Sequence, residues 1–162
     1  MGLAASIRRV LFRILLASPA FRWTGKPLAK AIWAVFPRGA FLLAPNPLFD
    51  PVFYANENPD LDKAGSLWAH YLAFGADELR DPHPFFDTSE YLALNPDVAA
   101  SGLNPLVHYL EHGAAEGRDP SSAFNTSWYL EQNADVRAGG MNPLLHFWLR
   151  GRAEGRQPAP LP

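Results

Sequence analysis

Apolar residues along this chain fall into short runs separated by recurring polar punctuation. The clearest stretch is Phe86 to Pro120, and its order of apolar, Asn, Pro, His, Gly and Arg positions recurs from Phe49 to Pro82 and from Phe124 to Pro158. Matching residues lie 37 or 38 apart: Tyr54, Tyr91 and Tyr129; His70, His108 and His146; Arg80, Arg118 and Arg156. A fixed period of this size is the mark of a repeat array.

The punctuation predicts short helices. In the middle copy Asp87 is a good N-cap, and Glu90 three residues later completes a capping-box pattern. The helix carries Tyr91, Leu92 and Leu94 and meets Asn95-Pro96, where proline ends one helix and starts another turn or two. Gly102 is placed to stop that turn in a left-handed conformation. Asn104-Pro105 then opens a second helix, closed by Gly113, and residues 114–120 connect to the next Phe. Asp50 and Asn125 repeat the first cap; Gly65 and Gly140 end the middle turn; Gly75 and Gly151 end the second helix. Helices of about two turns are unstable alone, since isolated helices under roughly 12 residues are marginal in water. Leu144, Leu145, Phe147, Trp148 and Leu149 occupy nearly the whole circumference of the third copy's second helix, so burial between neighbouring units is expected to hold the array.

Ahead of the repeats the pattern changes. Leu3, Ile7, Val10, Leu11, Ile14 and Leu15 share one helical face, with Arg9 and Arg13 opposite and Arg8 at the flank. A second apolar segment runs from Pro27 to Phe36. Neither reaches the roughly 20 apolar residues of a membrane-spanning helix. The predicted fold class is all-α: three tandem helical repeats (45–85, 86–123 and 124–162) preceded by two N-terminal helices within 1–44.

Charge sharpens the division. The net charge of −2 combines +7 over residues 1–49, which hold no acid, with −9 over residues 50–162. A basic amphipathic segment fits the interface of an anionic membrane, where each basic side chain contributes about 1 kcal/mol. The expected contacts are Arg8, Arg9, Arg13, Arg22, Lys26 and Lys30, with Trp23 and Trp33 as interfacial anchors. Packing on the first repeat as a cap is the competing reading, and the two are compatible because the apolar and basic faces differ. Arg13 and Pro19 fit a secretory signal badly, and Met1-Gly2 with Ser6 matches a myristoylation pattern only weakly. The acidic repeats are poor binders of phosphate backbones, so no nucleic-acid partner is expected. With no Cys in the chain, disulfides and Cys-ligated zinc are excluded.

Candidate chemistry is repetitive. His70, His108 and His146 hold one position, but side chains a repeat apart cannot converge on a metal with bonds of about 2.0–2.1 Å. A structural, hydrogen-bonded role is therefore expected for them. Asp60, Asp97 and Asp135 recur in the turn, and Arg80, Arg118 and Arg156 recur before the closing Pro, with Glu78, Glu116 and Glu154 two residues earlier. Each Arg is expected to tie its connector to the Asp turn of the same or an adjacent unit through its planar fork. No catalytic, cofactor or metal residue is assigned, because no nucleophile motif, phosphate loop or metal spacing occurs. Among the aromatics, Trp68, Trp128, Trp148, Phe53 and Phe74 differ between copies; most are expected in the core, and exposed ones would suit sugar rings or a partner helix.

Asn95-Pro96-Asp97-Val98, Asn104-Pro105-Leu106, His108-Tyr109-Leu110 and Glu116-Gly117-Arg118-Asp119-Pro120 together resemble a bacterial repeat. It is found beside glycosyltransferase domains of polysaccharide-synthesis proteins and in some large secreted or surface proteins. Pro45 to Pro51 is similar to the linker that introduces such units, and the resemblance covers residues 45–158. The first copy departs at Leu79 and Ser66-Leu67, and the third has Ala134 in place of Pro. Residues 1–162 hold no segment that reads as a glycosyltransferase domain. The expectation is a non-enzymatic, cofactor-free scaffold or adaptor at the cytoplasmic face of the bacterial inner membrane, whose acidic array meets a protein partner or membrane complex. The alternative is a secreted, surface or biosynthetic accessory module with a polysaccharide as partner.

Overall fold

Asp50, Asp87 and Asn125 stand in extended backbone, and each side chain accepts hydrogen bonds from amides of the turn that follows. Such caps satisfy donors that a helix start leaves open. The computed structural model describes residues 46–61 and 66–160, and the two helices expected within residues 1–44 lie outside them. In chain order the α-helices are α1 (Pro51–Glu57), α2 (Leu67–His70), α3 (Thr88–Leu94), α4 (Pro96–Ser101), α5 (Pro105–His108), α6 (Thr126–Gln132), α7 (Ala134–Gly139) and α8 (Pro143–His146). The described part is helical, with no strand among the described residues; only the isolated bridges His83 to Phe86 and Ser121 to Phe124 occur.

One order of elements recurs. A capped helix (α1, α3, α6) is followed in the second and third segments by a further short helix (α4, α7), so the turn foreseen there is itself helical. Gly102 and Gly140 stop it at φ 67° and 65°, a conformation that costs glycine little. Ala134 starts α7 as well as Pro96 starts α4, since proline favours the first helical position without being required there. Ser66, Asn104 and Asn142 then cap α2, α5 and α8.

Each of these last helices widens after one turn. Tyr71–Gly75, Tyr109–Gly113 and Phe147–Gly151 are π-helical turns, with Ala76 N donating to Tyr71 O at 3.2 Å and Ala114 N to Tyr109 O at 2.9 Å. Gly75, Gly113 and Gly151 close them for a reason other than left-handed backbone, since none has positive φ. A Cβ on any of the three would collide with the hydroxyl of Tyr54, Tyr91 or Tyr129. Glycine here admits a tyrosine from the first helix.

One apolar core runs through the described residues. Phe49, Phe86 and Phe124 are buried, as are Tyr54, Tyr91 and Tyr129, and the rings of each pair lie 5.1–5.2 Å apart. Tyr71, Tyr109 and Phe147 cross the first-helix tyrosines edge-on at 5.8–6.0 Å. Burying a side chain such as Phe86 contributes about 1.5–3 kcal/mol. The third segment's second helix is less buried than its sequence suggests: Leu149 is 55% exposed, at the position that exposed Glu111 holds in the second segment.

Each segment also closes on itself. Asp50 N donates to Pro82 O at 3.0 Å, Asp87 N to Pro120 O at 3.1 Å and Asn125 N to Pro158 O at 3.0 Å. Because Asp87 N is taken in this way, the capping box expected at Glu90 is only half formed. Asp87 accepts from Glu90 N, but the Glu90 carboxylate instead accepts from Ser122 N at 2.9 Å, tying the segment's first helix to the junction that precedes the third segment.

Candidate functional site

Two polar clusters form in each segment from the residues that the sequence offers as chemistry. The inner one pairs a tyrosine with a histidine. Tyr54 OH and His70 Nδ1, Tyr91 OH and His108 Nδ1, and Tyr129 OH and His146 Nδ1 share hydrogen bonds of 2.9 Å. Burial pushes all three phenols up, Tyr129 to about 12. Each phenol therefore keeps its proton and can donate it to the ring nitrogen it faces. Burial also lowers the affinity of His70 and His108 for a proton. A tyrosine–histidine pair of this kind orients two helices against each other.

The outer cluster centres on an arginine. Arg118 Nη1 donates to Asn95 Oδ1 and Asp97 Oδ1, both at 2.8 Å; Nη2 donates to Asp97 Oδ2 at 2.8 Å and Nε to Glu116 Oε2 at 2.6 Å. Arg80 makes the same bonds to Asn58, Asp60 and Glu78, and Arg156 to Asn133, Asp135 and Glu154. All partners lie in the same segment, so the arginine ties the connector to its own first-helix end rather than to a neighbour's. The bonded guanidinium holds Asp97 and Asp135 down to about 2 and lowers Asp60. The asparagines link the two clusters: Asn58, Asn95 and Asn133 are buried and donate through Nδ2 at 2.7 Å to the carbonyls of Tyr54, Tyr91 and Tyr129. Asn95 reads in the sequence only as the partner of Pro96; its side chain, like those of Asn58 and Asn133, completes the clamp.

His83 is a further group that does not stand out in the sequence. It is 1% exposed, and its Nδ1 accepts from Phe85 N at 3.1 Å. Asn46 and Ser121 occupy the matching positions and accept from Leu48 N and Ala123 N in the same way. Aligning the three Pro-X-X-X-Phe junctions would have exposed this shared acceptor role. His83 lies against Trp148 of the third segment, ring centroids 4.2 Å apart, and burial pushes it down to about 4.

The repeated histidines sit in separate segments, and no group of three metal-ligating side chains is brought together among the described residues. Trp68 is buried, and the Arg152 guanidinium lies 3.3 Å over the ring of Trp148. Trp128, Phe53 and Phe74 are half-buried. Arg8, Arg9, Arg13, Arg22, Trp23, Lys26, Lys30 and Trp33 lie outside the described residues. No described helix is long and apolar enough to cross a membrane. No family model, curated protein or solved structure matches the chain.

Proposed function

We propose that this chain is a non-enzymatic scaffold: a three-unit helical array, introduced by a basic amphipathic segment, whose frame is fixed internally and whose exposed side chains meet a protein partner. The observation that carries the reading is the threefold internal use of the reactive groups. Each histidine is bonded to a buried tyrosine, and each arginine is bonded to Asp, Glu and Asn of its own segment. Groups committed this way hold structure, and three identical sites suit a frame better than the single asymmetric site an enzyme needs. Leu103 and Met141 occupy matching positions in successive segments and are 46% and 37% exposed, with Leu94 at 64%. Apolar side chains in register along an acidic surface offer a partner anchor points with a polar rim.

In this reading the +7 segment attaches the scaffold to an anionic membrane surface at the cytoplasmic face, while the array projects to the partner. The reading as a carbohydrate-binding module has less support, because Trp68 is buried and Arg152 covers Trp148, leaving those rings unsuited to stacking on sugar.

Flotation of the full chain with vesicles containing phosphatidylglycerol tests the membrane half. Arg8, Arg9 and Arg13→Glu is expected to abolish flotation, and equal flotation of both forms would overturn that half. For the partner half, Leu103→Asp with Met141→Asp is expected to remove one specific protein from those that co-purify with the chain from native membranes, with helix content unchanged. An identical set of co-purified proteins would overturn it.

A further inference from the structure

We infer that the third segment is a terminal cap, with an outer face built to refuse a further unit of the same kind; this rests on the stacked-array reading above. Four substitutions carry it, two of them at positions where the first two segments reach the segment after them, one at a position buried in the first two segments, and one at the junction that precedes the third. Tyr109 shares a 3.3 Å hydrogen bond with Thr126 of the next segment, and Tyr71 faces Thr88; the third segment has Phe147 there, without a hydroxyl. Asp81 and Asp119 accept from Thr88 N and Thr126 N at 2.8 and 2.7 Å, capping the next helix; the third segment has Gln157.

Ala76 and Ala114 are buried at 4% and 6%, whereas the matching residue is Arg152, exposed and stacked on Trp148. A unit packed on this face would have to bury that guanidinium without a counter-charge, which is costly. Finally, Phe85, just ahead of the second segment, reaches to Phe147 of the third at 5.2 Å. Leu48 fills the matching place ahead of the first segment and is fully buried, while Ala123, ahead of the third, is exposed and too short to reach any later unit. Lost hydroxyl, lost cap, added charge and shortened anchor all fall on one face. Repeat arrays need such polar ends to stay soluble and unpolymerised, and a partner is left to approach this array from its sides.

Fusing a second copy of residues 121–158 after Pro158 of the full chain tests the cap. With the native face, the added unit is expected to be clipped by protease and to leave the thermal midpoint unchanged. With Phe147→Tyr, Arg152→Ala and Gln157→Asp in the inner third segment and Ala123→Phe just ahead of it, the added unit is expected to resist protease and raise the midpoint by roughly 5 °C. A native-face fusion that gains as much overturns the cap. If neither fusion gains, the stacked-array reading itself falls and takes the cap with it. Two single variants guard against a misfolded quadruple: Arg152→Ala is expected to leave the midpoint within about 2 °C, and Ala114→Arg to lower it by about 10 °C or more. Equal effects of the two would also overturn the cap.

Discussion

Every segment contains two regions of similar polarity and opposite setting. At the Tyr–His–Gly junction a hydroxyl, an imidazole and a bare Cα meet out of water; at the Arg clamp four charge-assisted hydrogen bonds form where Asp97 and Glu116 remain about half exposed. The clamp has the shorter bonds and the formal charges, yet the junction is expected to govern stability. Water competes for the clamp's charges and screens them, so such pairs contribute little. At the junction nothing replaces a lost partner, and the surrounding atoms leave no room for an added one. Conspicuous chemistry in a sequence and energetic weight in the fold are thus different properties.

Gly113→Ala tests the junction most severely. The new Cβ collides with Tyr91 OH, so the tyrosine must move and surrender its bond to His108. Overpacking and a broken buried hydrogen bond together are expected to cost about 3–5 kcal/mol in denaturant unfolding. Gly139→Ala is the control, since nothing lies within 4 Å of its Cβ position. It should stabilise by about 0.4–1 kcal/mol, through a less flexible unfolded chain. Similar costs at both glycines would show that backbone freedom, rather than close approach, is the reason for Gly113.

Acid separates buried polar contacts from clamps by pH window. His83 is held near 4 by burial, with Asp50 opposing the shift and Arg152 adding to it. Its depressed folded value means that it favours the native state fully above about 6.5, and that this contribution is lost as pH falls toward 4. The loss amounts to about 2–3 kcal/mol. Lowered values at His70 and His108 act in the same direction, and the raised carboxyls of Asp81 and Asp119 act against it. The clamp carboxylates Asp97 and Asp135, held at about 2, contribute above about 4 and lose that contribution only as pH falls toward 2. His83→Asn keeps the acceptor that Asn46 supplies in the first segment, and should flatten the stability profile between pH 6.5 and 4 while leaving the lower window intact. An unchanged upper slope would remove His83 from this account.

Arg118→Lys addresses the clamp alone. An ammonium cannot span Asn95, Asp97 and Glu116 as the fork does, and the buried Asn95 Oδ1 loses its donor. About 1 kcal/mol is expected, discounted for the exposure of the carboxylates. A loss as large as that of Gly113→Ala would invert the ranking of the two regions.

Much of the frame was legible because its signals are local. Asp87, Asn104, Gly102 and Pro105 act on the residues beside them, so their types alone locate helix ends. The site was legible in part: the recurrence of His and Arg pointed to structural roles, but the tyrosine, asparagine and glycine that complete them lie 16 to 23 residues away or meet only by close approach. Glu90 shows the limit most clearly. Its spacing from Asp87 matches a capping box, but Pro120, which returns to the segment's start only in the folded chain, occupies the amide it would have bonded.

The smallest effect belongs to the one connector that breaks the pattern. Gly117 and Gly155 take φ of 74° and 73° where the clamp's connector turns, and the first segment has Leu79 there at φ 56°. A side chain with a Cβ is disfavoured in left-handed backbone by about 1–2 kcal/mol, and at 53% exposure Leu79 recovers little of that by burial. Arg80, the next residue, is nevertheless held in the same four bonds as Arg118, so the clamp fixes the turn against the preference of its own residue. Leu79→Gly should therefore stabilise the chain by about 0.5–1 kcal/mol, the strain relieved less the greater flexibility of glycine when unfolded. Destabilisation would instead mean that the leucine packs more usefully than its exposure indicates, and that the surface region, not only the junction, depends on apolar contact.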